Sequence, residues 1–164
     1  MKKSFRNTHV DRLGYHTGLE WRYEHTGWAG EVYGRVRRFA IVETLKTAGF
    51  ANCSHGSLGK KRAGAYAERL FDSDFVVSPQ GKGRACHRDW EALAAGAIPL
   101  LDWDASPAMA DLYRHLPVVR VRDWRGVTPA FLGRELARIE ADAQIDVKKL
   151  YLPYWVARFT EDTP

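Results

Sequence analysis

Four polar side chains at helical spacing, Arg84, His87, Arg88 and Glu91, stand directly after a loop that carries two glycines, Gly81 and Gly83, and a lysine, Lys82. Positions three and four apart share one face of a helix, so this set forms a single polar stripe that starts where the loop ends. The free N–H groups and partial positive charge of a helix N-terminus suit an anion. Glycines let the backbone approach a ligand closely. Arginine adds forked donors that match phosphate oxygens. Glu91, two turns in, can accept hydrogen bonds from sugar hydroxyls. The pattern fits an anionic ligand with a hydroxylated part, such as a nucleotide or a nucleotide-sugar. The other reading of the same residues is a solvated helix face. The glycine spacing is neither the dinucleotide fingerprint nor the phosphate-loop motif of nucleotide triphosphatases.

The elements that hold these residues are legible on either side. Phe75-Val76-Val77 is a short β-branched apolar run, read as a buried strand. The loop spans 78–83. A helix is expected over 84–95, stopped by Gly96, with Cys86, Trp90, Leu93, Ala94 and Ala97 turned towards a sheet. A second apolar strand follows at 97–101. Strand, glycine loop, helix and strand make a βαβ unit, whose crossover is expected to be right-handed.

The segment Pro79 to Leu101 resembles the nucleotide-sugar-binding signature of exostosin-like glycosyltransferases, a group that includes the C-terminal half of ribitol xylosyltransferase-type enzymes. The matched positions are Pro79, Gly81, Gly83, His87, Arg88, Trp90, Glu91, Ala92, Leu93, Gly96, Ile98 and Pro99. Looser similarity continues through Leu112-Tyr113, Leu116 to Val119, Val121 and Asp123-Trp124, so that it covers about 65–132, and again 149–155. There are two departures. Gln80 stands where the family has arginine, which removes one phosphate contact, and Ala85 stands where an acidic residue is common.

The resemblance implies an α/β fold: a Rossmann-like parallel sheet with helices on both faces, like the C-terminal, donor-binding half of a GT-B glycosyltransferase. It implies transfer of a sugar from a nucleotide-sugar, a UDP-sugar, to a glycan or other acceptor, with no metal required. Arg88 and His87 would be the catalytic pair. Gly81, Lys82, Gly83, Arg84, Arg88 and Glu91 would bind the nucleotide-sugar. Such enzymes place their cleft between two Rossmann-like domains, and this length has room for one. A separate chain supplying the N-terminal half is therefore an expected partner, and a non-catalytic nucleotide-sugar-binding subunit is the alternative. A basic nucleic-acid-binding protein is the third reading.

Composition bounds these readings. The chain has 164 residues, 45% hydrophobic and 27% charged, enough for one globular domain with a core. A net charge of +5 suits an anionic ligand without demanding nucleic acid, and no nucleic-acid motif is present. Cys53 and Cys86, the two cysteines, make neither a disulfide scaffold nor a metal spacing. No apolar run reaches the length of a membrane span. Eukaryotic members of the resembled family are Golgi membrane proteins with an N-terminal anchor. Without such a run the chain is read as either a soluble, cytoplasmic version or a truncated product.

The remaining organisation is read as follows. Residues 1–30 form an irregular segment, whose histidines His9, His16 and His25 lack ligand spacing. The nucleotide-sugar-binding domain spans 31–159, and 160–164 is a frayed tail. Within the domain, helices are expected at 31–48 (capped by Gly49) and 63–71, with a short strand at 50–53 and a basic run, Lys60-Lys61-Arg62, between them. Tyr66 supports the alignment. Downstream come a helix over 108–115, a strand at 118–121, a helix from Thr128-Pro129 to 143, and a last helix over 147–159 that would close back over the sheet. Asp102, Asp104 and Ser106 follow a parallel strand, where α/β folds bind ligands, so they are candidates for sugar contacts. Turn and cap chemistry is the other reading, favoured for Ser106. Alternation aims the two aspartates the same way.

Overall fold

A computed structural model describes residues 13–15, 40–50, 63–80 and 84–161. Residues 51–53 of the strand expected at 50–53, the loop at 54–59, the basic run at 60–62 and the glycine loop at 81–83 lie outside them. The same holds for 31–39 of the first expected helix and for 162–164. Phe50 is described and is not in a strand.

Four parallel strands form one sheet in the order β1 (Leu13–Tyr15), β2 (Phe75–Ser78), β3 (Ile98–Asp102) and β4 (Val119–Val121). The segment read as irregular, 1–30, thus contributes a short strand; the rest of it, bar that strand, lies outside the described residues. The register puts Val77, Leu100 and Val119 in one row, and Ser78, Leu101 and Arg120 in the next. Alternation sends these two rows to opposite faces. Pro99 sits inside β3 and cannot donate to a ladder. The N–H of Ile98 points towards β2, to Asp74 O at 2.8 Å, so the site of the missing donor at Pro99 faces the other side. There β4 pairs only from Leu100 onward, so no ladder bond is lost.

Helices cover both faces. Against the face of Phe75, Val77, Ile98, Leu100, Val119 and Val121 pack α1 (helical over 40–47) and α5 (Pro129–Ala141), through Val42, Leu45, Leu132 and Leu136. Against the other face pack α2 (Ala63–Asp72) and α3 (His87–Ala94), through Leu70 and Ala92 on Val76. Farther along that face Leu93, Leu101, Tyr113, Leu116 and Val118 form a third cluster, flanked by Met109 and Leu112 of α4 (Pro107–Leu112). The parallel α/β sheet with helices on both faces is therefore present.

The glycine stops act as expected. Gly49 has φ +98 and Gly96 φ +79, a region L side chains avoid. Beyond each, the next residue donates back into the last turn, Phe50 N to Leu45 O at 3.1 Å and Ala97 N to Ala92 O at 2.9 Å. Both are Schellman closures, and each pairs two apolar residues across the turn. Thr128 caps α5 by accepting from Phe131 N at 3.1 Å, with Pro129 at the first helical position.

Two expectations are corrected. The helix expected over 84–95 begins at His87, because Cys86 is extended (φ −114, ψ 148) and acts as its N-cap. The helix expected over 147–159 is split at Tyr151, an extended residue, into a 3-10 turn (Lys148–Leu150) and α6 (Leu152–Glu161). Among the described residues the turn docks on the third cluster through Leu150. The helix leaves Leu152 74% and Val156 52% exposed, so among the described residues it does not close over the sheet. It also takes in Thr160 and Glu161, the first residues of the expected tail.

Candidate functional site

The late start of α3 breaks up the expected stripe. Arg84 lies in a bend ahead of the helix, exposed, with Nη1 3.3 Å from Asp104 Oδ1. His87 is the first helical residue and is exposed. Arg88 is buried, 6% exposed, rather than standing on a wet face. Glu91 is half-buried. Gly81, Lys82 and Gly83 lie outside the described residues.

What the fold brings together is Arg88, Glu91 and Tyr66. The Tyr66 hydroxyl donates to Glu91 Oε2 at 2.5 Å, tying α2 to α3. Burial holds the Tyr66 phenol well above its ordinary value, the Glu91 carboxylate adds to this, and the neighbouring Arg88 charge opposes it. Arg88 has no carboxylate within ion-pair distance among the described residues. Its guanidinium hydrogen-bonds the same Tyr66 hydroxyl that donates to Glu91, so the three side chains form one half-buried polar cluster.

Asp89 escaped the sequence reading. It is 1% exposed and accepts three hydrogen bonds. Oδ1 takes the Ser78 hydroxyl at the end of β2; Oδ2 takes Cys86 N at 2.9 Å and the Tyr113 hydroxyl at 2.7 Å. This closes a capping box around Cys86. A serine, threonine, aspartate or asparagine at the cap would have signalled it; cysteine did not. Burial raises the Tyr113 phenol strongly, and the Asp89 carboxylate adds to the rise. Trp90 stacks on Tyr113 with ring centroids 6.1 Å apart.

Beside this network lies a shallow, open depression at the carboxyl ends of β2 and β3. The row Ser78, Leu101 and Arg120 contributes to its lining, along with Gln80, Arg84, Asp102 and Asp104. Asp102 and Asp104 do converge on one side, as alternation requires, and both hold Gln80. Asp102 Oδ2 accepts from Gln80 N at 2.7 Å; Asp104 Oδ2 accepts from Gln80 Nε2 at 3.3 Å. Asp102 Oδ1 also accepts from Trp124 Nε1 at 2.8 Å, and Asp104 Oδ1 from Ser106 N at 2.8 Å. The Ser106 side chain makes no cap hydrogen bond, so the turn chemistry there comes from Asp104. At the rim, Trp103 is 42% exposed, with the Arg122 guanidinium 3.9 Å from its ring centroid.

Among the described residues, no group of His, Cys, Asp and Glu side chains is arranged to hold a metal ion. No helix among them is long and apolar enough to cross a membrane. Comparison of the sequence with known protein families and with curated proteins finds no match.

Proposed function

We propose that the chain is the donor-binding unit of a glycosyltransferase, a Rossmann-like domain similar to the C-terminal half of a GT-B enzyme. In this reading it takes a nucleotide-sugar at the turn between β2 and α3. The observation that carries the reading is the buried Arg88 guanidinium, which has no carboxylate partner among the described residues and stands one residue into a helix that follows a glycine loop. A diphosphate over that turn meets the helix N-terminus, and the exposed Arg84 reaches it directly. Arg88, behind the first turn, supplies charge that favours the leaving nucleotide diphosphate as its negative charge grows. Glu91 has one oxygen engaged with Tyr66 and lone pairs left for ribose hydroxyls. His87, at the helix start, orients a phosphate or the sugar. Lys82 adds charge from the loop, and Gly81 and Gly83 let its backbone come close.

Binding without transfer is the second reading, favoured by the two aspartates. Asp102 and Asp104 are engaged with N–H donors of this chain, which leaves the pocket without an obvious acid or base.

Calorimetry with a panel of nucleoside diphosphates and UDP-sugars tests the proposal, comparing wild type, Arg84→Ala and Glu91→Ala. Loss of one charge-assisted hydrogen bond of ~1.5–3 kcal/mol predicts affinity roughly 10- to 100-fold weaker in each variant. A folded wild type that binds none of the panel, or an Arg84→Ala variant with unchanged affinity, refutes it. Sugar transfer or donor hydrolysis by the binding-competent chain separates the first reading from the second.

A further inference from the structure

The sheet face that carries Ser78, Leu101 and Arg120 continues past the strand ends. Trp103 N donates to Val121 O at 2.8 Å, one residue beyond the last pair of β3 and β4, so Trp103 and Arg122 stay in the same alternation. They emerge on the side of Leu101 and Arg120, at the rim of the depression. There the Trp103 indole is 42% exposed, with the Arg122 guanidinium 3.9 Å and that of Arg120 5.9 Å from its ring centroid. Stacking occupies the flat face of a guanidinium and spends none of its in-plane N–H donors. Among the described residues Arg122 donates no hydrogen bond, and Arg120 donates one, to Ala110 O at 3.3 Å. Neither has a carboxylate within ion-pair distance among those residues. The acids beside them in the chain are engaged elsewhere, Asp123 with Arg125 at 2.9 Å and Asp104 with Gln80, Arg84 and Ser106.

We infer that Trp103, Arg120 and Arg122 form a second anion subsite, which takes the terminal phosphate monoester of a ligand. Two guanidiniums beside one ring repel each other until an anion lies between them. A phosphate monoester matches them in charge, being a dianion above its second pKa of about 6. It matches them in shape as well, since its three terminal oxygens can meet both forks at once. A carboxylate or a sulfate ester carries one charge and leaves one guanidinium uncompensated. The indole supplies order: it holds Arg122 in place before the ligand arrives, so less side-chain freedom is lost on binding. The subsite is distinct from the turn between β2 and α3, because two strand spacings, ~10 Å in all, separate the exits of β2 and β4. Arg120, which also lines the depression, is the residue the two regions share. The inference therefore stands whether or not a diphosphate binds at that turn.

Titration of the full chain with methyl phosphate at about pH 8, where it is a dianion, tests this, read on the backbone amide resonances of 120–123. Methyl phosphate should saturate these shifts at least about tenfold more tightly than methyl sulfate or acetate. Arg122→Gln removes one fork and one charge and should weaken methyl phosphate about tenfold or more. Trp103→Leu keeps both charges, removes only the platform, and should weaken it about three- to tenfold. Arg134→Gln removes the same charge from α5, on the opposite face of the sheet, and should change it less than about twofold. All three side chains are exposed, so the variants keep the fold, which circular dichroism checks. Unchanged affinity in Trp103→Leu, or equal losses in Arg122→Gln and Arg134→Gln, overturns the inference in favour of general attraction to a basic surface. Equal binding of the three anions, or no saturation in wild type, overturns it without any variant. Arg84→Ala separates this subsite from the proposed donor site. Methyl phosphate affinity kept within about threefold there supports the subsite even where nucleoside diphosphates fail to bind. A loss as large as in Arg122→Gln puts the phosphate in the depression instead and sinks it.

Discussion

Replacing Asp89 should separate the value of a buried acceptor from the value of its shape. Asp89→Ala strands three donors in a site that is 1% exposed: the Ser78 hydroxyl, the Tyr113 hydroxyl and Cys86 N–H. A buried donor left without a partner costs ~1–3 kcal/mol. The Cys86 bond also caps α3, and losing a cap costs ~1 kcal/mol. Together the expected loss is about 4 kcal/mol, against a total stability of ~5–15 kcal/mol for a domain. Asp89→Asn should be far milder. Its oxygen can take the place of Oδ2, where Cys86 N and Tyr113 converge, while its NH2 faces Ser78. A serine hydroxyl can turn from donating to accepting, so the amide finds a partner there. The expected cost is ~1 kcal/mol, one exchanged hydrogen bond. Urea unfolding followed by circular dichroism reads the difference. With a slope of ~2 kcal/mol per molar, Asp89→Ala should move the midpoint by about 2 M and Asp89→Asn by about 0.5 M, at unchanged slope. Tyr113→Phe in the Asp89→Ala background should cost much less than it does alone, since the hydroxyl it deletes has already lost its acceptor. Equal costs for the alanine and asparagine variants would refute the reasoning, because hydrogen-bond geometry would then not be what Asp89 supplies.

Two further expectations follow from the same structure. Tyr66 and Tyr113 keep their protons above the ordinary value of 10.0, chiefly through burial. The unfolded chain loses those protons near pH 10, so the contribution of both phenols is intact below that pH and declines as pH rises above it. The urea midpoint should fall steeply above pH 10, and less steeply in Tyr113→Phe; a flat midpoint between pH 9 and 11 would contradict this. Gly49→Ala places a Cβ at φ +98, with nothing within 4 Å of it, and should cost ~1–2 kcal/mol in the same unfolding assay through backbone strain alone.

The βαβ unit was legible because its signals are local. Phe75 to Val77 is a β-branched run, Gly96 a left-handed stop, and Thr128-Pro129 a helix start with its own cap, and each acts within one turn or one strand. The start of α3 was not legible. Periodicity placed Arg84 in the helix, but the backbone is extended at Cys86, where Asp89 folds back to accept its N–H. That three-residue shift removes Arg84 from the stripe. Arg88 and Asp89 are buried because α2 and α4 bring Tyr66 and Tyr113 over α3, partners 22 to 25 residues away in either direction that no helical pattern contains. The exposed α6 shows the converse. Leu152 and Val156 lie one turn apart, and such a stripe reads as a core face, yet periodicity states only that a face is apolar, not what covers it.

Charge at the carboxyl edge of the sheet divides unevenly, and the division bears on chemistry. The acids Asp102 and Asp104 hold backbone and side-chain N–H groups of this chain. The bases are less committed. Arg84 is 63% exposed in its side chain and only 3.3 Å from Asp104; Arg120 donates to Ala110 O at 3.3 Å and has no carboxylate within ion-pair distance among the described residues; Arg88 has none either. The pocket lining holds two arginines, Arg84 and Arg120, against two aspartates already taken up by N–H donors, and the proposed diphosphate ligand would rely on those two arginines. The same arrangement argues against self-sufficient catalysis of the proposed transfer. An acceptor hydroxyl must lose its proton to a base. Asp102 and Asp104 are engaged, Glu91 is bonded to Tyr66, and His87 stands exposed at the helix start. If the proposed donor unit transfers sugar, the base comes from His87 or from another chain. These alternatives separate sharply: transfer by this chain alone that disappears in His87→Ala, with donor affinity retained, would locate the base here, whereas transfer restored only by a second chain would locate it across a cleft.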